Sequence, residues 1–359
     1  MFLKFVYPLV TLYTGFNVFS YITLRSSCAA LTTLFICFIF GSKIIAALKN
    51  LKIGQVIRED GPQSHLVKGG TPTMGGIFII ATVVLAMLLW GDLNSKVIWL
   101  VLGTFLTFGG IGFWDDFLKV SKRNSAGLPA WAKLIMQFAI AIVVVLILYF
   151  TKNEETTLLY IPFFKNPVVD LGAWWIPFAV LLIVGESNAV NISDGLDGLL
   201  AGLLIFVFIA LAILTYISGR TDYSSYLGIP YIPGAGELTV FCLAAAGACI
   251  AFLYFNAHPA EIFMGDTGSL SLGGVIAVLS LIIKKEILVL VIGGVFVIEI
   301  MSVVIQVVSF KLRKKRVFLM SPWHHHLELL GWGEAKVTTR LWILGGFFAI
   351  IALSTLKIQ

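Results

Sequence analysis

Ten apolar stretches of about membrane length run through this 359-residue chain, and they limit its fold more than any other feature. They cover 22–48, 73–91, 96–114, 130–150, 174–191, 196–217, 238–256, 268–284, 287–309 and 339–357. A bilayer core takes about 20 apolar residues per helix. Charged residues make up 12% of the chain, against about 25% in a soluble domain. The predicted fold is an all-α polytopic membrane protein, a single domain over 1–359 with about ten transmembrane helices. The segment "LLYIPFFKNPVVDLG" (158–172) predicts a small surface hairpin. The N-terminal segment lacks a convincing small-residue cleavage site and is expected to be retained. Cys28, Cys37, Cys242 and Cys249 all lie in apolar stretches without Cys-x-x-Cys spacing. They read as small buried residues, neither metal ligands nor disulfides.

With ten spans, 49–72, 115–129, 192–195, 257–267 and 310–338 fall on one side. Together with flanking Lys43, Lys133 and Arg340 they carry 16 of the 25 Lys and Arg residues. The positive-inside rule makes that side cytoplasmic and puts both termini outside. The net charge of +6 is thereby a topology signal. No stacking motif or Arg-rich arm accompanies it, so no nucleic-acid partner is expected.

Every unusual polar stretch falls on that same side. They are "SHLVKGGTPTMGG" (64–76), "WDDFLK" (114–119), "VGESNAVNISDGLDGLLAG" (184–202), "FNAHPAEIFMGDTGS" (255–269) and "SPWHHHLELLG" (321–331). An acid at a helix centre costs ~2.5–3.5 kcal/mol on insertion scales. Asn188, Asn191, Asp194 and Asp197 therefore do not face lipid. Their spacing of three drifts around a helix, and Gly195 and Gly198 offer a break. The stripe is expected to straddle a helix end that opens onto water.

Asp115 and Asp116 are adjacent and point about 100° apart on a helix. They cannot form a tight proton-sharing dyad, but they can approach one cation from neighbouring directions. Lys119 lies within ion-pair reach of both. Asp266 sits between Gly265 and Gly268 just before a span, as a cation ligand or a helix cap. The triplet His324, His325, His326 lacks zinc-site spacing. Beside the basic run 311–316 it reads as an anion-binding surface. Lys68 precedes a Gly- and Thr-rich lead into a span, a weak anion signal that is not a Walker loop.

Taken together, these motifs resemble the phospho-N-acetylmuramoyl-pentapeptide transferase family of the polyprenyl-phosphate N-acetylhexosamine-1-phosphate transferase superfamily. Asp115-Asp116-x-x-Lys119, the Asn191/Asp194/Gly195/Asp197/Gly198 segment and Gly265-Asp266-x-Gly268-Ser269 carry the superfamily likeness. Ser64-His65-x-x-Lys68, Thr71-Pro72-Thr73-Met74-Gly75-Gly76 and the His triplet carry the muramoyl branch. The resemblance covers essentially the whole chain. It implies transfer of phospho-MurNAc-pentapeptide from UDP-MurNAc-pentapeptide to undecaprenyl phosphate, giving lipid I and UMP, with Mg2+. It also implies a homodimer in the bacterial cytoplasmic membrane. Asp266 would bind the metal, with Asp115 and Asp116 as metal partners or as the group handling the nucleophile. Lys68, Asn191, Asp194, Asp197, Asn256 and Phe263 would line the nucleotide and sugar pocket, with Lys119 and Asn188 beside them. Phe263 would stack on uracil. His324, His325 and His326 would hold phosphate or sugar-peptide groups, with His324 also counted among the catalytic residues. Direct in-line attack is expected, with a covalent phospho-Asp as the alternative. The rival readings are a sibling UDP-GlcNAc transferase and a cation transporter. The His triplet and the Thr71-Pro72-Thr73-Met74-Gly75-Gly76 run argue against the first. Polar residues gathered at one face argue against the second.

Overall fold

The computed structural model describes residues 13–50, 70–122, 127–151, 156–164 and 166–357. The helices are α1 (Ile22–Asn50), α2 (Gly76–Trp90), α3 (Lys96–Ser121), α4 (Ala130–Phe150), α5 (Trp175–Ile192), α6 (Leu199–Ser218), α7 (Thr221–Leu227), α8 (Leu238–Asn256), α9 (Gly265–Ile282), α10 (Glu286–Ile292), α11 (Gly294–Arg313), α12 (Trp323–Leu329) and α13 (Glu334–Ser354). Between α4 and α5, strands β1 (Leu158–Leu159) and β2 (Val169–Asp170) pair antiparallel, Leu158 opposite Asp170. This is the hairpin expected for that segment. Among the described residues nine helices are long and apolar enough to cross a membrane. The stretch expected at 73–91 forms α2, a shorter apolar helix of 15 residues.

The bundle is organised around α9. Its sequence, GDTGSLSLGGVIAVLSLI, is rich in small residues and buried along most of its length. Small residues let helix backbones approach closely in a bilayer, where lipid contributes little hydrophobic drive between helices. The consequence is visible at three contacts. A Cβ on Gly76 of α2 would lie 2.1 Å from the Gly268 backbone nitrogen. One on Gly112 of α3 would lie 2.1 Å from the Asp266 carbonyl oxygen. One on Gly273 would lie 2.8 Å from Ser187 Cα on α5. The α2 and α3 contacts lie at the start of α9, which fixes the site described below, and the α5 contact lies at its middle. By contrast α1 and α4 turn most of their surface outward. The four cysteines are free, with Cys37, Cys242 and Cys249 buried. Far from α9's start, buried Arg25 is held by a two-pronged contact to Glu237, at 2.8 and 2.5 Å.

Two boundaries differ from the sequence reading. The loop expected at 115–129 begins later, because α3 continues to Ser121. Asp115, Asp116 and Lys119 are therefore the closing turns of a helix. Their polarity marks a turn toward protein partners, not the end of the helix. The stretch expected at 287–309 is two helices, with a break at Gly293. Apolar character continues across that break, so composition does not reveal it.

Candidate active site

The site forms where the end of α3 meets the start of α9. The first N–H groups of a helix lack intrahelical acceptors. At α9 the Asp116 carboxylate supplies them from another helix. Its Oδ1 accepts from Asp266 N at 3.2 Å, and its Oδ2 accepts from Thr267 N at 3.0 Å and Thr267 Oγ1 at 2.8 Å. A negative group is favoured at a helix N-terminus. Gly265, with φ of 74°, permits the approach, since a Cβ there would lie 2.6 Å from Asp116 Oδ2. The capping reading considered for Asp266 therefore belongs to Asp116, and the Asp266 carboxylate is left for other partners.

Those partners are cations and an amide. Lys119 Nζ lies 3.1 Å from Asp266 Oδ2, 2.5 Å from Asp115 Oδ2 and 3.6 Å from Asp116 Oδ1. The Asp115 contact is an i,i+4 ion pair within the closing turns of α3. Asp115 Oδ1 accepts from Leu128 N at 2.8 Å. Lys133 of α4 donates to Asp266 Oδ2 at 2.5 Å. Asn191 Nδ2 donates to Asp266 Oδ1 at 2.9 Å and to Ser269 Oγ at 2.8 Å. Sequence reasoning placed Lys133 only as a charge flanking a loop. Its position on the α4 face toward α9 needs the fold to be seen.

The expected stripe does straddle a helix end. Asn188 and Asn191 lie on α5, and Asp194 and Asp197 lie in the turn before α6. Asn188 sits deeper, its Nδ2 donating to Gln137 Oε1 and Val184 O, both at 2.7 Å. Burial and the charges of Asp266 and Asp116 push the Asp194 carboxyl up to about 7, partly offset by the Gly265 N–H. Asp194 lies outside the apolar spans. An acid with a raised pKa favours the folded chain most in its protonated form. That stability is present below the ordinary value of 3.8 and is lost as pH rises toward about 7. The stability of Asp194→Asn relative to the parent chain is therefore expected to improve between pH 5 and pH 8. Melting curves at both pH values check this; a flat or reversed difference contradicts it.

The other predicted residues make the following contacts. Asp197 Oδ2 accepts from Ala260 N at 3.1 Å and lies 3.0 Å from His258 Nδ1, and its N–H donates to Glu334 Oε1 at 2.8 Å. Asn256 is buried, with Oδ1 accepting from Gly198 N at 3.1 Å and Nδ2 donating to Ile262 O at 2.8 Å. It clasps two loops together. Phe263 is half-buried, and its backbone pairs with Pro72 and Gly75 at 2.8 and 2.9 Å. That pairing brings the 70–76 segment to the site. Lys68 lies outside the described residues. His324 is fully buried, its Nδ1 3.1 Å from Glu299 Oε2. A Cβ on Gly195 would lie 2.1 Å from His324 Nε2, so the ring packs against the 193–198 turn. His325 Nδ1 lies 2.8 Å from Glu328 Oε2, and His326 Nδ1 accepts from Leu319 N at 3.3 Å. Glu299 lies inside an apolar span, and its role as the His324 partner was not legible from sequence.

One oxygen each from Asp115, Asp116 and Asp266 lies within 4.8 Å of the others. Three carboxylates face two ammonium groups, so the cluster keeps an excess of negative charge. Hard divalent cations take all-oxygen donor sets of this kind, often two carboxylates with substrate phosphates. The residues therefore fit such an ion.

The described residues thus combine nine candidate membrane-spanning helices with a carboxylate–lysine cluster at the start of α9. The profile of glycosyl transferase family 4 matches residues 98–284, the stretch from α3 through α9. Three relatives, each named phospho-N-acetylmuramoyl-pentapeptide-transferase, align along the full chain. The one from Thermodesulfovibrio yellowstonii is 50% identical over 100% of both chains. Those from Desulfotalea psychrophila and Desulfosudis oleivorans are 48% identical over 100% and 49% identical over 99% of both chains. The chain belongs to the phospho-N-acetylmuramoyl-pentapeptide-transferase family.

Proposed function

We propose that the chain transfers phospho-MurNAc-pentapeptide from UDP-MurNAc-pentapeptide to undecaprenyl phosphate, forming lipid I and releasing UMP. The reaction takes place at the cytoplasmic face of a bacterial inner membrane, with Mg2+, in a homodimer. The observation that carries this reading is the meeting of Asp115, Asp116, Asp266, Lys119 and Lys133 at one helix end. Two anionic substrates need cations to approach one another. A phosphate oxygen of the lipid carrier attacks the sugar-proximal phosphorus. The bond to the bridging oxygen breaks, and UMP leaves with the electron pair.

Asp266, with Asp115 and Asp116, would hold Mg2+. When bound, the ion screens the diphosphate and stabilises charge on the leaving oxygen. Lys119 and Lys133 bring two fixed ammonium groups to the same place, suited to the transferring phosphate oxygens. Asn191 orients Asp266, and Asp116 fixes the α9 start that carries it. A phosphate monoester has a second pKa near ~6, so the lipid phosphate is mostly dianionic at neutral pH. A general base is not required, and direct attack needs only positioning. Asp194, Asp197, Phe263 and Lys68 are assigned to the nucleotide and sugar, Asn188 and Asn256 to the frame of that pocket. His325 and His326 are assigned to the outer phosphate or sugar-peptide groups, with His324 setting their position.

The reading is tested by UMP release with undecaprenyl phosphate as acceptor, comparing UDP-MurNAc-pentapeptide with UDP-GlcNAc as donor. Turnover with the first donor is expected; turnover only with the second would move the chain to the sibling reaction. Lys133→Met is expected to lower turnover by about 10- to 100-fold, with little change in melting temperature. Parent-like turnover in that variant would remove Lys133 from the site.

A further inference from the structure

A groove of about 580 Å³ runs along the outer side of the α3–α4 pair, remote from the carboxylate centre. Trp99, Gly103, Thr107, Val143 and Ile147 line it, with Lys96 at one end. The lining makes no polar demand. Thr104 Oγ1 donates to Leu100 O at 2.9 Å and Thr107 Oγ1 to Gly103 O at 2.7 Å, so both hydroxyls are satisfied within their own helix. Gly103 leaves the space open, since a Cβ there would meet nothing within 4 Å.

From Lys96 to Thr107 the groove follows α3 for about 16 Å at 1.5 Å per residue. A hydrocarbon core is about 30 Å thick, so the groove has the depth of one leaflet. Lys96 begins α3 and Asp115 lies near its other end, which puts the groove in the leaflet opposite the candidate active site. Trp99 anchors this end, its Nε1 donating to Leu93 O at 2.8 Å while the ring stays exposed. Tryptophans of this kind mark headgroup level. A lysine at a helix start opposes the helix dipole, and an anion placed there would complement both.

We propose that the α3–α4 groove holds one acyl chain of an anionic glycerophospholipid, its phosphate paired with Lys96. The phosphate of the prenyl carrier is not the partner of Lys96, because it must reach the far end of α3.

The test is native mass spectrometry of the full chain in detergent, with phosphatidylglycerol or phosphatidylcholine of matched acyl chains. The parent chain is expected to retain phosphatidylglycerol about fivefold better, the preference one lysine confers near a headgroup. Lys96→Gln should erase that preference. Gly103→Leu projects into the groove from a position whose Cβ would meet nothing within 4 Å, and it should lose retained lipid while keeping parent UMP release. Val143→Phe fills it from α4 and should do the same. The proposal is overturned if both filling variants retain lipid as the parent does. It is equally overturned if they change only the oligomeric state, which would make the groove a contact between copies.

Discussion

Asp266→Asn is expected to lower UMP release by about 10³-fold or more while the chain still folds. The substitution keeps size and shape, so packing at the start of α9 is preserved. What changes is charge. Oδ2 of Asp266 receives Lys119 at 3.1 Å and Lys133 at 2.5 Å. An amide nitrogen or a neutral oxygen there leaves both ammonium groups without their shared counter-charge. It also removes one of three carboxylates from the candidate cation site. The two losses act on the same step, because substrate phosphates need cations held at fixed positions. Steady-state turnover with both substrates measures the effect, and melting temperature controls for folding. A variant within about tenfold of the parent would show that Asp266 only links helices.

Gly112→Ala is the second large effect, and it acts through geometry. A Cβ at Gly112 would lie 2.1 Å from Asp266 O, 2.4 Å from Asp266 C and 2.5 Å from Thr267 N. All three are backbone atoms, so no side chain can swing away. The α3 and α9 helices must part. Overpacking of this kind costs about 1–3 kcal/mol. Parting the helices also stretches the Asp116 bonds to Asp266 N and Thr267 N and moves Lys119 from Asp266. A shift near 1 Å at such a site can cost about 10²-fold in rate. Gly110→Ala on the same helix is the control, since a Cβ there meets nothing within 4 Å. It is expected to be neutral or slightly stabilising, because alanine suits a helix better than glycine. Equal behaviour of the two variants would contradict the close approach.

The apolar stretches were legible because lipid imposes a length on any helix that crosses it. The meeting of the 114–119, 184–202 and 255–269 stretches was anticipated because unpaired acids and amides are costly in apolar surroundings and so seek one another. The individual roles were harder to read. Asp115 and Asp116 looked like the end of a span, since charge after an apolar run usually marks water. They instead close a helix whose last turns face α9. Lys133 has the same composition as a topology lysine, and only the α4–α9 arrangement distinguishes it. Asn256 lies in a polar motif, yet its amide serves backbone groups at Gly198 and Ile262. The His triplet was read as a single surface. The structure separates it, with His324 buried on Gly195 and its two neighbours less enclosed. Glu299 lies in an apolar span and carries no motif, so nothing in its local sequence linked it to His324. Residues that act through another residue are identified by contact, and contact across helices is not written in spacing.

The central claim is that Asp115, Asp116 and Asp266 hold one divalent cation beside the nucleotide. Electron paramagnetic resonance of Mn2+, standing in for Mg2+, tests it on the purified full chain with UMP present. The parent chain is expected to show a saturable bound-Mn2+ signal that Asp266→Asn abolishes and Asp115→Asn weakens. Binding in Asp266→Asn equal to that of the parent would place the ion elsewhere and contradict the account.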